Sequence, residues 1–128
     1  MLMIPVSLGE LIDKITILEI KLSNIEDAQK LKNVQTEYDL LTQLSDYQNV
    51  KNDRDVVECK QNLYNVNLKL WKIEDALRDR EKEQKFDADF IYLARSVYIT
   101  NDERSKIKKS INIKYGSSII EEKSYKDY

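Results

Sequence analysis

The sequence predicts an all-α fold, an antiparallel helical hairpin or bundle of about five helices, two of them long and heptad-patterned. Three observations carry the prediction. The 128 residues include only 2 Gly and 1 Pro, too few for a turn-rich β-sandwich or a Gly-rich phosphate loop. A hydrophobic fraction of 41% is enough to bury the core of one domain without disulfides or metals. Through most of the chain the apolar residues recur at steps of three and four, the period of a helix face.

The first helix is expected to start at Ser7, the head of an S-x-x-E capping box with Glu10. Leu11, Ile15, Leu18, Leu22 and Ile25 then form a heptad seam. A second helix is expected over residues 29–47, with Leu31, Val34, Tyr38, Leu41 and Leu44 facing inward, followed by a loop over residues 45–55. The most regular signal comes next: Val56, Cys59, Leu63, Val66, Leu70, Ile73 and Leu77 predict one long helix over residues 53–84. Asp87 is expected to cap a fourth helix, with Phe86 stapled onto Ile91, and Thr100 or Asn101 to cap a fifth that stops at Gly116. Residues 1–116 are thus expected to form a single helical domain. Residues 117–128 lose the periodicity and are expected to be a mobile tail. Paired long heptad helices predict self-association, with a homodimer as the default.

Composition narrows the function. Lys plus Arg (21) and Asp plus Glu (23) nearly cancel to a net charge of −2, which removes the usual electrostatic case for nucleic acid or an anionic membrane. The absence of histidine excludes His-ligated zinc and Ser-His-Asp chemistry. The single cysteine, Cys59, falls on the apolar stripe of its helix and reads as a buried thiol. The N-terminus lacks the basic region of a signal peptide, and no segment reaches the ~20 apolar residues of a membrane span. A cytoplasmic protein is the expectation.

The charges fall at the edges of buried surface. At about 100° per residue, Lys14 and Lys21 flank the seam of the first helix on one side and Glu19 on the other. On the long helix Glu74 and Glu81 fall inside the apolar arc, with Asn67, Trp71 and Arg78 on its shoulder. An ionised group buried without a partner costs several kcal/mol. Lys14 and Lys21 are therefore expected to meet Glu74 and Glu81, and Arg78 or Arg95 to meet Glu19. Such a cluster is either an interhelical ladder that fixes register or the lining of a polar pocket. Trp71 reads first as a core or edge anchor, Asn101 and Asp102 as capping residues, and Lys106 to Lys109 as a solvated face.

Three stretches, VSLGELIDKITILEIKL, VNLKLWKIEDALRDRE and FIYLARSVYITNDERSKIKKSIN, resemble in that order segments of a small bacterial and viral family of unknown function, domain of unknown function 6165. Its members are in some cases free-standing and in others attached to tetratricopeptide or glycosyltransferase proteins. The resemblance implies motif positions and no activity. Here they are Gly9, Glu10, Asp13, Lys14, Glu19, Lys21, Asn67, Trp71, Glu74, Asp75, Arg78, Arg95, Tyr98, Asn101, Asp102 and Arg104. A motif this polar leans towards a ligand-binding site for an anionic small molecule or a partner's acidic group, with Lys14, Lys21, Arg78, Arg95 and Arg104 as its cations.

The enzyme alternatives are a Mg²⁺-dependent nucleotide pyrophosphohydrolase using Asp13, Glu19, Glu74, Asp75 and Glu81, and a chorismate-mutase-like rearrangement in a cationic pocket. The first lacks the paired E-x-x-E and E-x-x-D spacing, and the second lacks an arginine near the start of the first helix. No cofactor follows from the residues outside the Mg²⁺ alternative. A purely structural oligomerisation domain is the third reading.

Overall fold

Five helices and no strand form the chain: α1 (Leu8–Asn24), α2 (Ala28–Thr42), α3 (Ser45–Val50), α4 (Arg54–Lys82) and α5 (Ala88–Lys114). They are seen in a computed structural model that describes residues Met1–Tyr128. α1 begins where predicted, with the Ser7 hydroxyl accepting from the Glu10 amide at 3.2 Å. The Glu10 carboxylate does not return to Ser7; it accepts from Lys108 Nζ at 2.7 Å.

Two element boundaries differ from expectation. α2 stops at Thr42, and the expected loop contains α3, which carries the buried Tyr47 into the core. The expected fourth and fifth helices are one element, α5, and Thr100 lies fully buried at its middle instead of capping a helix. No Gly or Pro interrupts residues 88–114, and Thr, Asn and Asp inside a helix are only mildly unfavourable, so tertiary packing carries the helix through them. The long pair is therefore α4 and α5, while the first helix has 17 residues.

α4 and α5 are antiparallel. At one end Arg80 reaches Asp87 at 2.8 Å and Asp89 at 3.3 Å; at the other, Lys114 lies 3.2 Å from Asp55 and the Tyr115 hydroxyl donates to Asp53 at 2.6 Å. That hydrogen bond pushes the Tyr115 pKa up to about 12. α4 ends in a Schellman motif: Gln84 takes a φ of 55° while the Lys85 amide reaches the Arg80 carbonyl at 2.9 Å. Gly116, with a φ of 62°, closes α5 in the same way. Asp87 caps α5 as predicted, through the Phe90 amide at 3.0 Å. Phe86, however, packs edge-on against Phe90 with centroids 5.1 Å apart, and Ile91 stays exposed.

α1 packs on the base of this hairpin and touches both of its helices, and α2 packs on α1. Leu11, Ile12 and Ile15 of α1 join Tyr47, Val56, Cys59, Leu63 and Ile111 in one apolar cluster. Fully burying an aliphatic side chain such as Ile12, Ile15 or Leu63 contributes about 1.5–3 kcal/mol. Of the predicted α4 seam, Val56, Cys59, Leu63, Leu70 and Ile73 are buried and Val66 and Leu77 half-buried. Beyond the reach of α1 the hairpin has no core: from Glu74 to Ile99 no residue is buried. No helix is long and apolar enough to cross a membrane.

Candidate functional site

The polar residues that meet do so where α1 crosses the hairpin. Gly9 makes this crossing close: a Cβ on it would lie 2.7 Å from the Lys108 carbonyl oxygen and 2.9 Å from Asn112 Oδ1. The Gly9 amide donates to that Asn112 oxygen at 2.7 Å, so one of the amides left free at a helix start finds a partner on α5. One turn further on, Asp13 is 0% exposed. Its carboxylate takes both arms of Arg104, with Nε at 2.9 Å from Oδ1 and Nη2 on Oδ2. Asn67 Nδ2 donates to Oδ1 at 2.8 Å and to the Thr16 hydroxyl at 2.9 Å. Lys108 Nζ stands 3.7 Å from Asp13 and bridges to Glu10.

Burial disfavours the ionised form of Asp13. Hydrogen bonds from Arg104 and Asn67 and the charges of Arg104 and Lys108 outweigh it, holding the Asp13 pKa below the ordinary carboxylate value. The hydrogen bond to Asp13 raises the Arg104 pKa. Lys108 is also raised: burial opposes its charge, but Glu10 and Asp13 prevail. The Cys59 thiol is pushed up to about 11, first by burial and then by the negative charge of Asp13, which leaves it protonated and a poor nucleophile at neutral pH.

Of the sequence-predicted site residues, the structure brings Asp13, Asn67 and Arg104 into this node. It does not bring Lys14, Lys21, Glu74, Asp75, Arg78 or Arg95 there. The expected ladder between α1 and α4 is not formed: Lys14 lies 3.9 Å from Glu10 on its own helix and Glu74 lies 3.9 Å from Arg78 on its own. Glu19 pairs with Lys60 at 3.2 Å, not with Arg78 or Arg95. The reason is geometric, since α1 meets α4 around Lys60 and Asn67, about two to four turns before Glu74. Trp71 is half-buried, Tyr98 exposed, and Asn101 and Asp102 half-buried within α5. No three His, Cys, Asp or Glu side chains stand close enough to share a metal ion, so Asp13, Glu19, Glu74, Asp75 and Glu81 do not form the Mg²⁺ cluster that the hydrolase alternative needs.

Sequence reading missed Lys108, taken for part of a solvated face, as well as Thr16 and Asn112. The signal was present: Arg104, Ile107, Lys108 and Ile111 follow the i, i+3, i+4, i+7 spacing of one face. That places the two cations on the face whose Ile111 is buried.

A second set of residues meets nothing within the folded helices. Ile91, Tyr92, Tyr98 and Ile99 are all exposed. They form two heptad-spaced pairs on the side of α5 roughly opposite Arg104, at about 100° per residue. Arg95 lies among them, exposed and without a partner in the chain's ion pairs.

No curated protein and no solved structure matches the chain. The model of the family of unknown function DUF6165 matches residues 2–128, and with the whole length covered, the chain belongs to that family.

Proposed function

We propose that this chain is a non-catalytic interaction module that pairs with a second copy of itself through the outer face of α5. The observation that carries the reading is the stripe Ile91, Tyr92, Tyr98 and Ile99, exposed at heptad spacing on a hairpin that buries no residue between Glu74 and Ile99. Two helices with one apolar seam between them are marginal alone, because helical stability comes mostly from packing on a further layer. A second hairpin supplies that layer as a four-helix arrangement. The stripe lies away from the Asp13 node, so pairing leaves the α1 crossing untouched.

An anion site receives less support at the same node. Both arms of Arg104 are engaged by Asp13, and Lys108 by Glu10, Asp13 and Glu121. An incoming anion would have to displace internal carboxylates that are already well placed.

Sedimentation velocity across a concentration series tests the proposal. The wild-type protein is expected to shift from monomer to dimer, and the double variant Tyr92→Glu/Ile99→Glu to remain monomeric with unchanged far-UV circular dichroism. A chain that stays monomeric up to millimolar concentration both as wild type and as Tyr128→Ala, or a double variant that dimerises as well as the wild type, would overturn it.

A further inference from the structure

The C-terminal residues lie back along α5, and the last of them, Tyr128, reaches the proposed pairing face. Gly116 turns the chain, after which Glu121 reaches Lys108 at 3.5 Å and Glu122 reaches Lys109 at 3.2 Å. At the end of the run the Tyr128 hydroxyl donates to Asp102 at 2.6 Å, and its ring meets Tyr98 edge-on with centroids 5.2 Å apart. No backbone hydrogen bond ties any residue after Ser117 to the helices. Between tail and helix lies an open cleft of about 830 Å³, lined by Tyr98, Asp102 and Lys106 on one side and Lys123, Tyr125 and Tyr128 on the other. The tail is held by a few exposed side-chain contacts, which are individually weak and readily exchanged.

A two-fold pairing requires that the face complement itself. If two α5 helices cross antiparallel about a centre between Tyr98 and Ile99, Arg95 of each copy stands opposite Asp102 of the other. Tyr98 and Ile99 then meet at the centre. Arg95 has no ionic partner within its own chain, and Asp102 is engaged only by the Tyr128 hydroxyl. In effect, the tail fills in cis the acceptor and the ring that the second copy would use in trans.

Resting on the reading above, we infer that the C-terminal tail is a reversible strap that regulates self-association, Tyr128 competing with a second copy, with its Arg95 for Asp102 and with its central apolar residues for the Tyr98 ring. The competition is between an intramolecular contact, with an effective concentration in the millimolar range for a short tether, and an intermolecular one. Pairing therefore sets in only when protein concentration is high or the strap is displaced.

The test uses the full chain and four proteins: wild type, Tyr128→Ala, Arg95→Asp, and Arg95→Asp/Asp102→Arg. Dimer dissociation constants come from sedimentation, and ¹⁵N relaxation of residues 118–128 is followed through the transition. Tyr128→Ala should tighten the dimer by about 2- to 10-fold, the equivalent of one hydrogen bond. Arg95→Asp should abolish pairing and the charge-exchanged double variant should restore it. The tail should become mobile as wild-type dimer forms. If Tyr128→Ala leaves the constant unchanged, or the tail is equally ordered in monomer and dimer, the strap is overturned and self-association stands. If Arg95→Asp pairs as well as wild type, the assigned register is overturned. If neither wild type nor Tyr128→Ala pairs at any concentration, the self-association reading falls and the strap with it.

Discussion

The two halves of the α4–α5 hairpin are built from similar residues and are put to opposite uses. In the base, where α1 lies against it, Asp13, Asn67, Arg104 and Lys108 face inward and satisfy one another. In the outer half, Glu74, Asp75, Arg78 and Arg95 stand in solvent beside exposed Ile91 and Tyr92. Polarity in a family motif is thus compatible with two different roles. A third helix decides which: a charge under α1 must be paired or it destabilises the fold, whereas a charge beyond α1 is free to meet something else.

The largest effect should follow from breaking the base. Asp13→Ala leaves Arg104 and Lys108 facing each other without the carboxylate, and loss of one partner of a buried pair costs about 3–5 kcal/mol. Set against a total stability of about 5–15 kcal/mol, this should shift the urea midpoint far down or unfold the chain. Glu74→Ala and Asp75→Ala, in the outer half, should stay within about 0.5 kcal/mol of wild type. Comparable losses in both halves would erase the distinction.

The same node sets an acid limit. The Asp13 pKa is lowered in the folded state, so its stabilisation is complete above the ordinary carboxylate value of about 4. It is lost as pH falls through the lower, folded value. Urea unfolding between pH 2 and 7 should show that limb in the wild type and a shallower one in Asp13→Asn.

Next in size is Gly9→Ala. The added methyl would meet the Lys108 backbone at 2.7 Å, so α1 must lift away from α5, and overpacking of this kind costs about 1–3 kcal/mol. Hydrogen exchange gives the sharper readout. Amides of α1 and of α4 before Asn67 should lose protection first, while those from Glu74 to Ile99, already near the low end, should change little.

The sequence made the α4 seam, the Ser7 and Asp87 caps and the Gly116 stop legible, because each rests on local spacing or on a single residue type. It did not reveal the join of residues 88–114 into one helix. Thr100, Asn101 and Asp102 look like a cap to a local rule, and only the burial of Thr100 overrides it. The site was half legible for a related reason. Asp13, Asn67 and Arg104 stood out as polar motif residues, but pairing α1 with Glu74 and Glu81 assumed that the first helix runs along the long one. α1 instead meets the hairpin at its base, and a crossing point depends on a close contact such as that of Gly9, which periodicity does not encode.

The outer half can be strengthened without touching the base. Gln84 holds the left-handed conformation that ends α4, which costs a side-chain-bearing residue about 1–2 kcal/mol relative to glycine. Gln84→Gly also loses the side-chain hydrogen bond to the Glu81 carbonyl at 2.7 Å and gains unfolded-state freedom. A net gain below about 1 kcal/mol is therefore expected, measured by urea unfolding. It should appear as increased protection of amides flanking the turn, with exchange in α1 unchanged.

A comparably small effect lies on the boundary between the halves. The Thr100 hydroxyl is fully buried and has no hydrogen-bond partner, although a buried unsatisfied polar atom costs about 1–3 kcal/mol. Thr100→Val keeps the shape and removes the hydroxyl, at a small cost in helix propensity for a β-branched residue that is already present. A gain of about 0.5–1 kcal/mol is expected, seen as a higher urea midpoint with an unchanged slope. A loss instead would mean that the hydroxyl is satisfied in solution, and the closed packing of the base would then stop at Arg104, one turn short of Thr100.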